Sequence, residues 1–119
     1  MIIGIGTDLV ENRRVEKACL RESFVSRSFT DKERELIEGN PLKASGNFAV
    51  KEAVSKAFGT GFRQMRLKDI EVLRDELGKP YVNLFNNALT IAKELQINTI
   101  HVSISNTNEY TIAYVIAEK

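Results

Sequence analysis

The chain has 119 residues, a hydrophobic share of 43%, a charged share of 28% and a formal net charge of +1. These are the values of one ordinary globular domain, small enough that an oligomer would help bury its surface. No apolar run is long enough to span a bilayer as a helix, and a charge near zero gives no global attraction to nucleic acid or membrane. The single cysteine, Cys19, excludes an internal disulfide framework and fits a reducing cytoplasm.

Met1-Ile-Ile-Gly-Ile-Gly6 has no basic segment, and Asp8 follows, so no signal peptide is expected. Ile2–Thr7 reads as a strand, with Ile3 and Ile5 on one face and Gly4, Gly6 and Asp8 on the other. Glycines weaken a strand unless space is needed, so they predict close approach of a ligand or a backbone. Asp8 has two readings. It ends the cleared face as a candidate Mg²⁺ ligand, or, with Glu11 three residues on, it caps the next helix.

That helix is predicted over Leu9–Leu20, with Cys19 as packing. Arg14, Lys17 and Arg21 fall at i, i+3 and i+7 as one basic stripe, diluted by Glu11, Glu16 and Glu22. It is a solvated face or a docking surface for an acidic partner. Phe24, Val25 and Phe29 anchor a short segment, and Thr30-Asp-Lys-Glu33 is a capping box opening a helix to about Ile37. Asn40 and Pro41 then start a longer helix that runs to Phe58, with Gly46 a flaw where something approaches closely.

The C-terminal half of that helix is the most informative stretch. Val50, Ala53, Val54 and Ala57 form its apolar face, and Glu52 and Lys56 lie one turn apart opposite. Such a pair is commonly just solvated, and Gly59 is as readily a C-cap. Beside a Gly59-Thr-Gly61 loop, however, the carboxylate suits Mg²⁺, the ammonium suits phosphate, and the loop amides suit phosphate oxygens. Phe48, a turn before Glu52 on the same face, predicts that this face is covered by a ligand, another element or another subunit.

Strands are predicted over Ile70–Arg74 and Tyr81–Phe85 around an Asp75–Pro80 hairpin turn. A helix over Asn86–Leu95, capped by Asn86 or Asn87, leads to strands Thr99–Ser105 and Tyr110–Ala117. His101, the only histidine, shares a strand face with Ser103 and Ser105 and is read as structural. There is no zinc set, no Ser/His/Asp ordering, and no P-loop or dinucleotide fingerprint. The fold class is α+β, one domain over residues 1–119, with helices packed on an antiparallel sheet.

Four segments, Ile3-Gly-Ile-Gly-Thr-Asp8, Phe48-Ala-Val-Lys-Glu-Ala-Val-Ser-Lys56, Gly59-Thr-Gly61 and His101-Val-Ser-Ile-Ser105, with a weaker echo in Gly78-Lys-Pro80, resemble the small single-domain 4′-phosphopantetheinyl transferases known as holo-acyl-carrier-protein synthases. The resemblance implies transfer of the phosphopantetheine arm of coenzyme A to a serine of an acyl carrier protein, in the cytoplasm, for fatty acid biosynthesis. It implies Mg²⁺ on Asp8 and Glu52, leaving-group stabilisation by Lys56, and either Glu52 or a metal-bound water as base. It further implies coenzyme A contacts from Lys56, Gly59, Thr60, Gly61, Ser103 and Ser105, carrier docking on Arg14, Lys17 and Arg21, and a homotrimer sharing its sites. Two residues depart from the pattern: Asn47 stands for a usual arginine and Asn106 for a usual histidine, which predicts altered coenzyme A contacts. The rival is a non-catalytic trimeric module that binds coenzyme A or an acidic carrier.

Overall fold

The computed structural model describes residues 1–119. In chain order it has β1 (Ile2–Glu11), α1 (Asn12–Ala18), α2 (Glu22–Ser28), α3 (Asp31–Ile37) and α4 (Pro41–Phe58). A 3₁₀ turn (Leu67–Asp69), β2 (Ile70–Arg74), β3 (Pro80–Leu84), α5 (Asn86–Glu94), β4 (Thr99–Asn106) and β5 (Tyr110–Glu118) follow. One antiparallel sheet has the order β1-β5-β4, and β2 and β3 form a separate hairpin. The predicted α+β class and the order of its elements hold.

Helix α4 is the axis of the molecule. Asn40 caps it by accepting from the Lys43 amide, Pro41 opens it, and Gly59 closes it at φ 78°. Its apolar residues Ala49, Val50, Ala53, Val54, Ala57 and Phe58 join Ala113, Val115 and Ala117 of β5 and Ile70 and Val72 of β2 in the main core. A smaller core of Val15, Phe29, Ile37 and Ala44 fastens α1, α2 and α3 to the other end.

Gly4 and Gly6 explain how a strand lies so close to a helix. A Cβ on Gly4 would stand 2.0 Å from the Ala57 carbonyl oxygen, and one on Gly6 would stand 1.9 Å from that of Ala53. The cleared strand face therefore serves a backbone, not a ligand.

Several boundaries differ from expectation. Strand β1 continues through Glu11, so α1 is shorter than the predicted Leu9–Leu20 helix and Asp8 lies within a strand instead of capping it. Pairing with β5 accounts for this: Asp8, Leu9, Val10 and Glu11 stand opposite Ala113, Ile112, Thr111 and Tyr110. The segment around Phe24 is a full helix, α2, and α5 is flanked by Phe85 with Asn86 as its first residue, at φ 50°.

Candidate active site

Strand β1 and helix α4, locked by the glycine contacts, bring Asp8, Glu52 and Lys56 together. The Lys56 ammonium donates to Asp8 Oδ1 at 3.1 Å and to the Thr7 carbonyl at 2.9 Å. An ammonium has three donors, so one remains for a ligand. The Lys56 side chain is 54% exposed, against 16% for Asp8, which places the cation at the mouth and the carboxylate behind it. Partial burial pushes the Glu52 carboxyl up from its ordinary value; the nearby Asp8 charge adds to this and Lys56 offsets it.

Asp8 and Glu52 suit a hard divalent cation such as Mg²⁺, which takes one or two carboxylates and completes its octahedron with water and substrate phosphate. No three His, Cys, Asp or Glu side chains are placed to hold a metal ion together, so an all-protein cage is absent. The electrostatic coupling of Glu52 to Asp8 is the behaviour of two like charges facing a shared space.

The glycine loop differs from the predicted phosphate cradle. The Gly59 amide donates to the Ser55 and Lys56 carbonyls and the Gly61 amide to Ser55, both inside the last turn of α4. A helix C-terminus also carries the negative end of the dipole. The positive φ of 78° and 60° explains the two glycines, and the Thr60 hydroxyl donates to the Gly61 carbonyl at 2.9 Å.

Ser103 and Ser105 lie on the outer face of the sheet, in register with Tyr114 and Ile112 of β5, away from the Asp8–Lys56 ledge of the same chain. The structure does not bring them to that ledge. His101 is on this outer face too, 2.9 Å from Glu118, whose carboxyl it holds below its ordinary value. Arg14 and Lys17 project from α1, while Arg21 falls just beyond it at the entry to α2. The basic stripe is thus a helix pair plus a corner.

Phe48 is half-buried, and Phe24 in α2 covers part of it, the two ring centroids lying 5.9 Å apart. Of the covers anticipated for it, the structure supplies another element.

Behind the site is an ion pair that the sequence reading missed. Glu33 Oε1 accepts from Lys51 at 2.7 Å and from the Thr30 amide at 3.1 Å; Oε2 accepts from Asn47 at 3.0 Å and from the Val72 amide at 3.2 Å. Lys51 also donates to the Leu67 carbonyl at 2.9 Å and to that of Ile70. Burial pushes Glu33 up and Lys51 down, each opposed by the other's charge. Four donors on the carboxylate and three acceptors on the ammonium favour the charged forms against that burial. Its one sequence signal was the capping box, which accounts for Glu33 only in part.

An α+β fold that holds two carboxylates and a partly free lysine on one ledge has the equipment of a transferase acting on a phosphate ester. The comparisons agree with that class. The model of the 4′-phosphopantetheinyl transferase superfamily matches residues 4–115, and the chain belongs to this family. It is 57% identical, over 99% of its length and 97% of the relative's, to a holo-[acyl-carrier-protein] synthase of Lachnoclostridium phytofermentans. The fold resembles the crystal structure of holo-[acyl-carrier-protein] synthase from Neisseria meningitidis with a TM-score of 0.90, 31% identity and 100% of both chains covered. It also resembles the enzyme from Bacillus anthracis in complex with coenzyme A (3′,5′-ADP), with a TM-score of 0.83, 35% identity, and 100% of this chain and 98% of that one covered.

Proposed function

We propose that this chain is a holo-[acyl-carrier-protein] synthase. The phosphopantetheine arm of coenzyme A passes to a serine hydroxyl of an apo acyl carrier protein, and adenosine 3′,5′-bisphosphate leaves. A phosphorus–oxygen bond to the serine forms as the one within the diphosphate breaks. The observation that carries this reading is the convergence of Asp8, Glu52 and Lys56, in a chain related to such synthases over its whole length.

Asp8 and Glu52 would hold Mg²⁺, which, when bound, polarises the attacked phosphorus and offsets charge on the leaving phosphate. Lys56 is anchored through Thr7 and Asp8 and directs its remaining N–H at the leaving oxygen, where it neutralises developing charge. Glu52 is the chain's own base for the serine proton.

Arg14 and Lys17 on α1, with Arg21, form the surface for an acidic carrier. Arg14 borders an apolar cavity of about 370 Å³ lined also by Val15, Phe24 and Phe48, which suits an apolar side chain on the docked partner. The homotrimer is supported by the outer sheet face, where Ile5, Leu9, Tyr110, Ile112 and Tyr114 are all exposed. Ser103 and Ser105 lie on the same face, so they serve a coenzyme A site only when a neighbouring subunit completes it. No helix is long and apolar enough to cross a membrane, and the free Cys19 fits a reducing cytoplasm. The non-catalytic alternative rests on Asn47 and Asn106, and Asn47 is engaged inside the protein by Glu33, Val72 and Arg74.

The test is incubation with coenzyme A, Mg²⁺ and an apo acyl carrier protein, followed by mass spectrometry of the carrier. The expected result is a gain of one phosphopantetheine, abolished by chelator and by Glu52→Gln. An unmodified carrier with well-folded protein would favour the binding module.

A further inference from the structure

Helix α1 is only seven residues long and starts without a side-chain cap. So short a helix does not hold its place by its own hydrogen bonds. Its start is held from the far end of the chain instead. The Asn12 amide donates to the Glu109 carbonyl at 2.9 Å, in the turn between β4 and β5. The Asn12 side chain is buried, and its Nδ2 donates to the Thr107 carbonyl at 2.9 Å and to that of Asn108 at 3.1 Å. Its Oδ1 accepts from the Thr111 hydroxyl at 2.6 Å. That hydroxyl, fully buried, accepts in turn from Asn106 Nδ2 at 2.6 Å. One donor and one acceptor on Thr111 thus link the end of β4 to the first residue of α1.

The turn that receives α1 is itself fastened. The Thr107 amide donates to the Tyr110 carbonyl at 2.7 Å, and the Tyr110 amide donates to Thr107 Oγ1 at 3.0 Å. Asn106 stands opposite Thr111 in the register of β4 and β5.

The two elements that Asn12 joins are two walls of one cavity. Arg14, Val15 and Ala18 line the cavity of about 370 Å³ from α1, and Tyr110 lines it from the start of β5. Asn12 precedes Arg14 by two residues and is bonded on both sides of Tyr110, to Glu109 and to Thr111. Arg14 is exposed and pairs with none of the chain's carboxylates, so no ion pair of its own holds it in place. A buried amide with its donors and acceptor engaged does that through the backbone.

We infer that Asn12 is a positioning residue for the acyl carrier protein: clamped by Thr111 and Asn106, it holds Arg14 over the cavity that the carrier enters. The inference rests on the reading of α1 as the carrier surface. It gives Asn106, one of the two departures from the family pattern, a part in placing the docking helix.

The test uses Thr111→Val, which keeps the shape and removes the hydroxyl, Thr111→Ser, which restores it, and Asn12→Ala. Fluorescence anisotropy follows binding of a labelled apo acyl carrier protein, and steady-state transfer gives KM for the carrier and for coenzyme A. Thr111→Val and Asn12→Ala are expected to weaken carrier binding by about 5- to 20-fold, the range of one or two buried hydrogen bonds. KM for coenzyme A and kcat at saturating carrier should stay at their wild-type values, and Thr111→Ser should recover most of the loss. Where Asn12→Ala does not fold, Thr111→Val decides. In an Arg14→Ala background the effect of Thr111→Val should shrink toward unity, because the clamp acts through Arg14.

Unchanged carrier binding in Thr111→Val overturns the inference. So does a loss shared by coenzyme A, or one that persists undiminished without Arg14, since either marks a merely structural clamp. Arg14→Ala with Lys17→Ala separates the two readings. If that variant binds the carrier as the wild type does, the docking surface itself is struck and the inference falls with it. If it binds weakly while Thr111→Val binds normally, the surface stands and only the role of Asn12 is lost.

Discussion

A side chain on Gly6 would collide with the carbonyl of Ala53, with the added Cβ only 1.9 Å from that oxygen. The contact sits between the strand that carries Asp8 and the helix that carries Glu52 and Lys56, so it sets the spacing of the site. Gly6→Ala is expected to destabilise the protein by about 1–3 kcal/mol or more, as overpacking against immobile backbone does. It should also reduce transfer beyond the loss of folded protein, because Asp8 is displaced from Lys56. Urea unfolding and activity per folded molecule measure both; a variant as stable and active as the wild type would remove the glycine contact from the account.

The Glu33–Lys51 pair makes a second prediction. Lys51→Met strands a buried carboxylate that keeps its other donors but loses its countercharge, and should cost about 3–5 kcal/mol. Glu33→Gln with Lys51→Met should cost clearly less than the sum of the single changes, since the two share one network. Denaturant midpoints of the four proteins form the cycle, and strict additivity would mean that the pair is not coupled.

Charge reversal on α1 should act on the carrier alone. For Arg14→Glu with Lys17→Glu, KM for the acyl carrier protein is expected to rise about 10-fold or more at low salt, with KM for coenzyme A unchanged. The difference should shrink as ionic strength rises. An equal effect on both substrates would place these residues elsewhere in the mechanism.

The outer sheet face is tested by Ile112→Asp. Ile112 pairs with Leu9 in β1 and Ser105 in β4, at the centre of the exposed apolar surface. Light scattering should show a trimer for the wild type and a smaller species for the variant, with transfer lost alongside assembly. A wild-type monomer with full activity would dispose of both the trimer and the shared site.

The sequence was most legible where a local rule acts. Thr30-Asp-Lys-Glu33 formed the capping box its spacing predicts, and Asn40, Pro41 and Gly59 bounded α4 as capping chemistry requires. It was least legible where pairing overrides local preference. Leu9 and Val10 fit a helical pattern, yet β5 holds them in a strand. The Gly59–Gly61 loop fits a phosphate cradle, yet its two glycine amides turn back into α4.

The sequence by itself determined the α+β class, the family resemblance and the three residues Asp8, Glu52 and Lys56, because apolar periodicity and capping residues are local and the motif spacing is carried in the chain. Only the tertiary structure decided what those residues meet. Gly4 and Gly6 approach α4, Phe24 packs on Phe48, Glu33 pairs with Lys51, and Asn47 accepts from Arg74. Each of these contacts joins residues far apart in the chain, and their geometry follows from packing and long-range hydrogen bonding, which no local pattern encodes.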